Sequence, residues 1–162
     1  MVDNDTIMEN GRCIECGAME TDGLSCHEMF HFPLVWEHND PELYALHFWL
    51  VSCYMIQHPS NYTEEGYKLQ VKLFTDAYDH QWGTDYILRK NRELVAKAGK
   101  ITNPLPNRQR KRSFKPWSMT IEDLYRAGKR MPSKASKNGG TPYERISISK
   151  LATAAHPFMM GQ

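Results

Sequence analysis

The residues best suited to chemistry lie close to the start of the chain. Cys13-Ile14-Glu15-Cys16-Gly17 is a CxxC knuckle: two thiolates three residues apart can grip one tetrahedral ion, and Gly17 permits the tight return of the backbone. One knuckle is half a site. Soft thiolates favour zinc, and two further ligands must come from elsewhere, Cys26 being the nearest. A redox CxxC is the rival reading, but that motif belongs at a helix start after a strand, whereas Cys13 and Cys16 stand in an acidic stretch with no clear periodicity.

The fourth ligand should be a histidine. With residues 41–57 read as one helix, His47, Tyr54 and His58 project to one side of it, yet His47 and His58 are separated by roughly 16 Å along the axis and cannot both hold one ion. His47 is expected in the middle of an apolar helix, where an imidazole needs either a hydrogen-bond partner or a metal. His58 stands before Pro59 and could equally cap the free carbonyls of a helix end. The preferred ligand set is therefore Cys13, Cys16, Cys26 and His47, with His58 as an alternative. Cys53 faces away from His47 by roughly 120° on that helix and reads as a small buried apolar residue.

A second metal motif competes. His27-Glu28-Met29-Phe30-His31 matches H-E-x-x-H, in which two histidines one helical turn apart hold zinc and the glutamate activates its water, so His27 and His31 are alternative ligands and Glu28 an alternative catalytic base. Glu37 stands ten residues after His27, where some such enzymes place a third ligand. The context argues against this reading, because Pro33 follows closely and Leu34 occupies the place of the glycine that would turn the chain toward that ligand.

The elements that must position these groups are helices. Residues 1–24 read as a metal-binding loop. Ser25 can cap a short helix from Cys26 that Pro33 should bend or end. Asp40, Pro41 and Glu42 together mark the start of a central helix running to about Gln57, apolar round most of its circumference. Thr63 caps a helix to about His80; Thr84 caps another through Ala98, stopped by Gly99. Residues 100–119 form a basic linker. Thr120, with Asp123 three residues on, resembles a capping box for a short helix. A last helix over about residues 143–155 competes with a strand, because Ile146 and Ile148 alternate with Ser147 and Ser149. The fold class is thus all-α: one small bundle of five or six helices with an N-terminal zinc knuckle, divided as 1–24, 25–99, 100–119 and 120–162.

The order of Cys13-x-x-Cys16-Gly17, Cys26 with Phe30, His47, and Tyr54-x-x-Gln57-His58-Pro59 resembles a family of small bacterial proteins catalogued only as a domain of unknown function. The resemblance covers residues 13–59 well and Trp117 to Ala127 more loosely. It implies a helical protein in which the cysteines and the two histidines act together around zinc, and it supplies no reaction.

Charge sharpens the expectation of a partner. The 162 residues carry a net charge of +1, but residues 1–85 hold 3 Lys and Arg against 15 Asp and Glu, and residues 86–162 hold 17 against 4. Arg108, Arg110, Lys111, Arg112 and Lys115, followed by Trp117, could neutralise phosphates while an aromatic ring stacks on a base; a solvated loop or an acidic protein partner would use the same residues. The longest apolar run, Leu43 to Ile56, is shorter than the roughly 20 residues of a membrane span, and the acidic start lacks a secretory signal, so a cytoplasmic location is expected. The functional expectation is a zinc-stabilised, non-enzymatic binding or regulatory protein. The alternatives are a zinc-dependent hydrolase through His27, Glu28 and His31, and a nucleic-acid-binding protein through the basic half.

Overall fold

A computed structural model describes residues 8–39, 41–99, 101–102, 117–129 and 142–160. The chain begins with a small hairpin, β1 (Met8–Glu9) paired antiparallel with β2 (Arg12–Cys13). Asn10 and Gly11 turn it with φ of 54° and 72°, the positive pair that a two-residue hairpin turn demands. The Asn-Gly dipeptide was the local signal for this hairpin within what reads by periodicity as loop. A second reversal follows at Asp22 and Gly23, closed by mutual backbone bonds between Thr21 and Leu24 of 3.1 and 3.0 Å.

Seven helices follow among the described residues: α1 (Cys26–Asn39), α2 (Pro41–Tyr44), α3 (His47–Gln57), α4 (Glu64–Asp79), α5 (Thr84–Ala98), α6 (Ile121–Lys129) and α7 (Pro142–Met160). The all-α expectation holds, with one helix more than its upper count because the stretch 41–57 is two helices. The chain turns at Ala45 and Leu46; Leu46 N–H bonds the Leu43 carbonyl at 2.8 Å, and the Ala45 carbonyl accepts from Thr84 Oγ1 at 3.3 Å. No glycine or proline marks that break. Pro33, conversely, does not end α1: it is fully buried within the helix, which loses one i−4 bond and continues. The final segment is helix rather than strand.

Local capping fixes several boundaries. Ser25 and Glu28 cap α1 reciprocally, Ser25 N donating to Glu28 Oε2 at 2.7 Å and Glu28 N to Ser25 Oγ at 3.3 Å. Thr63 Oγ1 accepts from Gly66 N at 3.0 Å, Gly99 ends α5 at φ 66°, and Thr120 N donates to Asp123 Oδ2 at 2.8 Å.

Helix α3 lies in the middle, against α1, α4 and α7, while α6 packs on α1 and α7. Met29, Leu50, Cys53, Ile56, Phe74, Leu124, Ile148 and Leu151 fill the interior at 1% exposure or less. Each large apolar side chain among them stabilises the fold by about 1.5–3 kcal/mol. Gly128 lets α6 approach α1 closely, since a Cβ there would meet the Trp36 ring at 2.4 Å. That contact matters to the N-terminal loop, because α6 supplies its support. Met19 N donates to Glu122 Oε2 at 2.7 Å, Tyr125 Oη to Asp22 at 3.3 Å and Arg126 to Thr21 Oγ1 at 3.2 Å, and Lys129 pairs with Asp22. Among the described residues no helix is long and apolar enough to cross a membrane.

Candidate metal centre

Hairpin, helix start and helix end converge on one point. Cys13 ends β2, Cys16 follows in the knuckle, Cys26 opens α1, and His58 is the residue after the last turn of α3. One ligand atom from each of Cys13, Cys16, Cys26 and His58 lies within 4.8 Å of the others, and all four residues are buried at 3% exposure or less.

The knuckle holds its shape through the backbone. Gly17, at φ 78°, donates its N–H to the Cys13 carbonyl at 2.9 Å, Cys13 N returns to the Ala18 carbonyl at 2.9 Å, and Ala18 N–H points at Cys16 Sγ at 3.5 Å. Glu15, between the two cysteines, clamps the knuckle to the segment after His58: its carboxylate accepts from Ser60 N at 2.9 Å and Ser60 Oγ at 2.8 Å.

His58 is oriented by the way α3 ends. Its backbone N–H bonds Met55 rather than the Tyr54 carbonyl one turn back. That carbonyl instead takes the ring's Nδ1–H at 2.6 Å. The imidazole thereby caps the helix with one nitrogen and turns Nε2 toward the thiols. Nε2 lies 3.7 Å from Cys13 Sγ and 3.3 Å from Cys26 Sγ. In a tetrahedral zinc site with Zn–S near 2.3 Å and Zn–N near 2.05 Å, a sulfur and a nitrogen ligand stand about 3.6 Å apart. The two distances bracket that value, and the donor set of three soft thiols and one imidazole fits zinc.

Electrostatics point the same way. Contacts with Cys16 and Cys26, and then with His58, hold the Cys13 thiol far below the ordinary thiol range against the opposing effect of burial. Contacts with Cys13 and Cys26, reinforced by burial, push Cys16 far above it. Burial opposes a charge on His58, but its contacts with Cys13 and Cys26 outweigh that and raise its pKa. The shifts place negative charge on Cys13 and keep protons on Cys16 and His58, and a divalent cation would displace those protons. Tyr54 completes the surroundings: its ring stacks on Phe30 at 4.0 Å and lies over His58 at 4.2 Å, and burial, followed by the nearby sulfurs, pushes its phenol up, so it remains a hydroxyl.

The sequence motif ending α3 can now be taken residue by residue. Tyr54 lies over His58, Gln57 Nε2 donates to the Met119 carbonyl at 2.8 Å and fastens the segment before α6, His58 faces the thiols, and Pro59 opens a 3-10 turn. The chain belongs to a family of unknown function, DUF5946. The DUF5946 model matches residues 11–138, a span that includes all four converging residues. No curated protein and no solved structure matches the chain.

The remaining candidates lie elsewhere. His47, the preferred fourth ligand from sequence, is not among the converging residues; because α3 starts at His47 instead of Pro41, this histidine sits at the helix N-terminus, 43% exposed, with Nδ1 2.6 Å from Glu37 Oε2. His27 and His31 stand with ring centroids 4.9 Å apart on α1, and burial lowers the His27 pKa, followed by the charges of His31 and His58. Glu28 of the same motif is occupied at the Ser25 cap, and Glu37 pairs with His47. Cys53 is wholly buried and its thiol is pushed up by desolvation, as befits an apolar filler. Trp117 packs against the core, and Arg108, Arg110, Lys111, Arg112 and Lys115 lie outside the described residues. Sequence reasoning missed Tyr54 and Glu15 as parts of the site; the placement of Tyr54 one turn before His58 on the same face was the available signal.

Proposed function

We propose that this protein is a zinc-stabilised helical binding or regulatory protein without catalytic activity, in which Cys13, Cys16, Cys26 and His58 are the four zinc ligands. The observation that carries the reading is the closure of the ligand set. Three thiols and one imidazole, all buried, fill a tetrahedral shell and leave no position for a water or substrate. Zinc so held acts on folding: it ties the hairpin, the start of α1 and the end of α3 into one unit, so its binding free energy becomes folding free energy. The support from α6 through Glu122 and Asp22 makes the loop a shared surface of distant segments, a suitable platform for a partner.

Elemental analysis of purified wild type and Cys13→Ser, combined with thermal melts, tests the proposal. Wild type should carry one zinc per chain, and Cys13→Ser should lose both zinc and stability. Retention of zinc by Cys13→Ser, together with its loss from His31→Ala, would contradict the ligand assignment and favour the hydrolase motif.

A further inference from the structure

A cleft of about 280 Å³ opens between α3 and α5, and none of Cys13, Cys16, Cys26 and His58 lines it. Its walls are mostly apolar, with Val51 and Met55 of α3, Leu88 and Val95 of α5, and Ile101 beyond. Helix α5 explains why it exists. Leu88 and Val95 are two turns apart on one stripe, but they remain 39% and 42% exposed, so this part of the stripe faces the cleft instead of a packed neighbour. Isolated exposed apolar residues need no explanation, but a stripe lining a concavity with buried polar groups is the usual form of a small-ligand site.

His47 stands at that cleft, and among the described residues no Asp, Glu, Lys or Arg lines it. The imidazole is held from behind. Glu37, on α1, is 95% buried, with one carboxylate oxygen on His47 Nδ1 and the other, Oε1, buried without a hydrogen-bond partner among the described residues. Such an arrangement orients a ring and favours its protonated form, as the raised pKa of His47 reflects, Glu37 being the main cause. With Nδ1 taken, Nε2–H is the donor left for a ligand. Tyr44 stacks on the ring at 5.4 Å and fixes its other face.

We propose that this cleft is a binding site for a small, mainly apolar monocarboxylate, whose hydrocarbon part lies along Val51, Leu88 and Val95 and whose carboxylate accepts a hydrogen bond from His47 Nε2. The Glu37–His47 pair is neutral as a whole, so the ligand's charge meets an oriented donor rather than a bare cation, and the absence of carboxylates from the lining removes direct repulsion. The site does not depend on the zinc assignment.

Octanoate, 1-octanol and octylamine serve as probes of equal chain length, titrated into the full chain while methyl and amide resonances are followed by NMR. Octanoate should bind and shift the resonances of Val51, Leu88, Val95 and Ile101, with 1-octanol and octylamine at least tenfold weaker. His47→Gln should weaken octanoate at least tenfold while leaving 1-octanol unchanged. Absence of octanoate binding at millimolar concentration, shifts confined to other residues, or equal affinity for all three probes would overturn the proposal. The wild-type mapping decides the location even if His47→Gln folds poorly.

Discussion

The two ends of α3 each carry a histidine, and the two imidazoles face opposite circumstances. His47 opens the helix, nearly half exposed, with a buried carboxylate on Nδ1; His58 closes it, 3% exposed, with a backbone carbonyl on Nδ1 and two thiols around Nε2. A buried carboxylate on Nδ1 is the main cause of the raised pKa of His47, whereas at His58 a backbone carbonyl takes Nδ1 and turns Nε2 onto sulfur.

The comparison breaks most severely at the His58 end. His58→Ala should abolish zinc binding and lower stability by at least about 4 kcal/mol, or roughly 8–16 °C in melting temperature for a chain of this size, whereas His47→Ala should leave zinc content unchanged. Elemental analysis and calorimetry of the two variants side by side measure the contrast. Equal zinc content in both would remove the distinction between them.

Tyr54→Phe tests the surroundings of the ligands. It keeps the stacking on Phe30 and removes the hydroxyl near the sulfurs, so zinc should stay while affinity falls about 10-fold to 100-fold, read by competition with a chelator. Cys53→Ala gives the matching control among the thiols: a loss of about 1 kcal/mol from a small cavity, with one zinc retained. Loss of metal from that variant would show that the fourth cysteine had been misplaced.

The smallest effect belongs to the His47 end and is a pH dependence. Glu37 raises the folded-state pKa of His47 above its unfolded value of about 6.5, so the pair's contribution is fully present below about pH 6.5 and is lost as pH rises through the folded value. The stability difference between wild type and His47→Gln should therefore shrink with rising pH in that window. A difference that stays constant or grows would contradict the pairing.

Much of the fold was legible because it is written locally. Thr63, Gly99 and the Thr120–Asp123 box act within one turn of the chain, and each does in the structure what its type and spacing imply. The CxxC knuckle and Cys26 were legible for the same reason. The convergence of His58, rather than His47, on the three thiols was not, because it turns on two non-local facts. One is the interruption at Ala45 and Leu46, which no glycine or proline announces and which moves His47 from mid-helix to a helix start. The other is that Nε2 of His58 meets sulfur 45 residues earlier in the chain. The two readings of His58, capping and ligation, are compatible: Nδ1 bonds the Tyr54 carbonyl at the helix end, and Nε2 lies beside the thiols. Pro33 misled in the opposite direction: a buried ring inside α1 loses one hydrogen bond and keeps its packing.

X-ray absorption at the zinc edge of the purified protein tests the central claim most directly. The shell should be four-coordinate, with three sulfurs at about 2.3 Å and one imidazole nitrogen at about 2.0–2.1 Å, and it should be unchanged in His47→Ala, whereas His58→Ala should bind no zinc. A shell with two sulfurs or fewer, or one with a water oxygen in an open position, would contradict it.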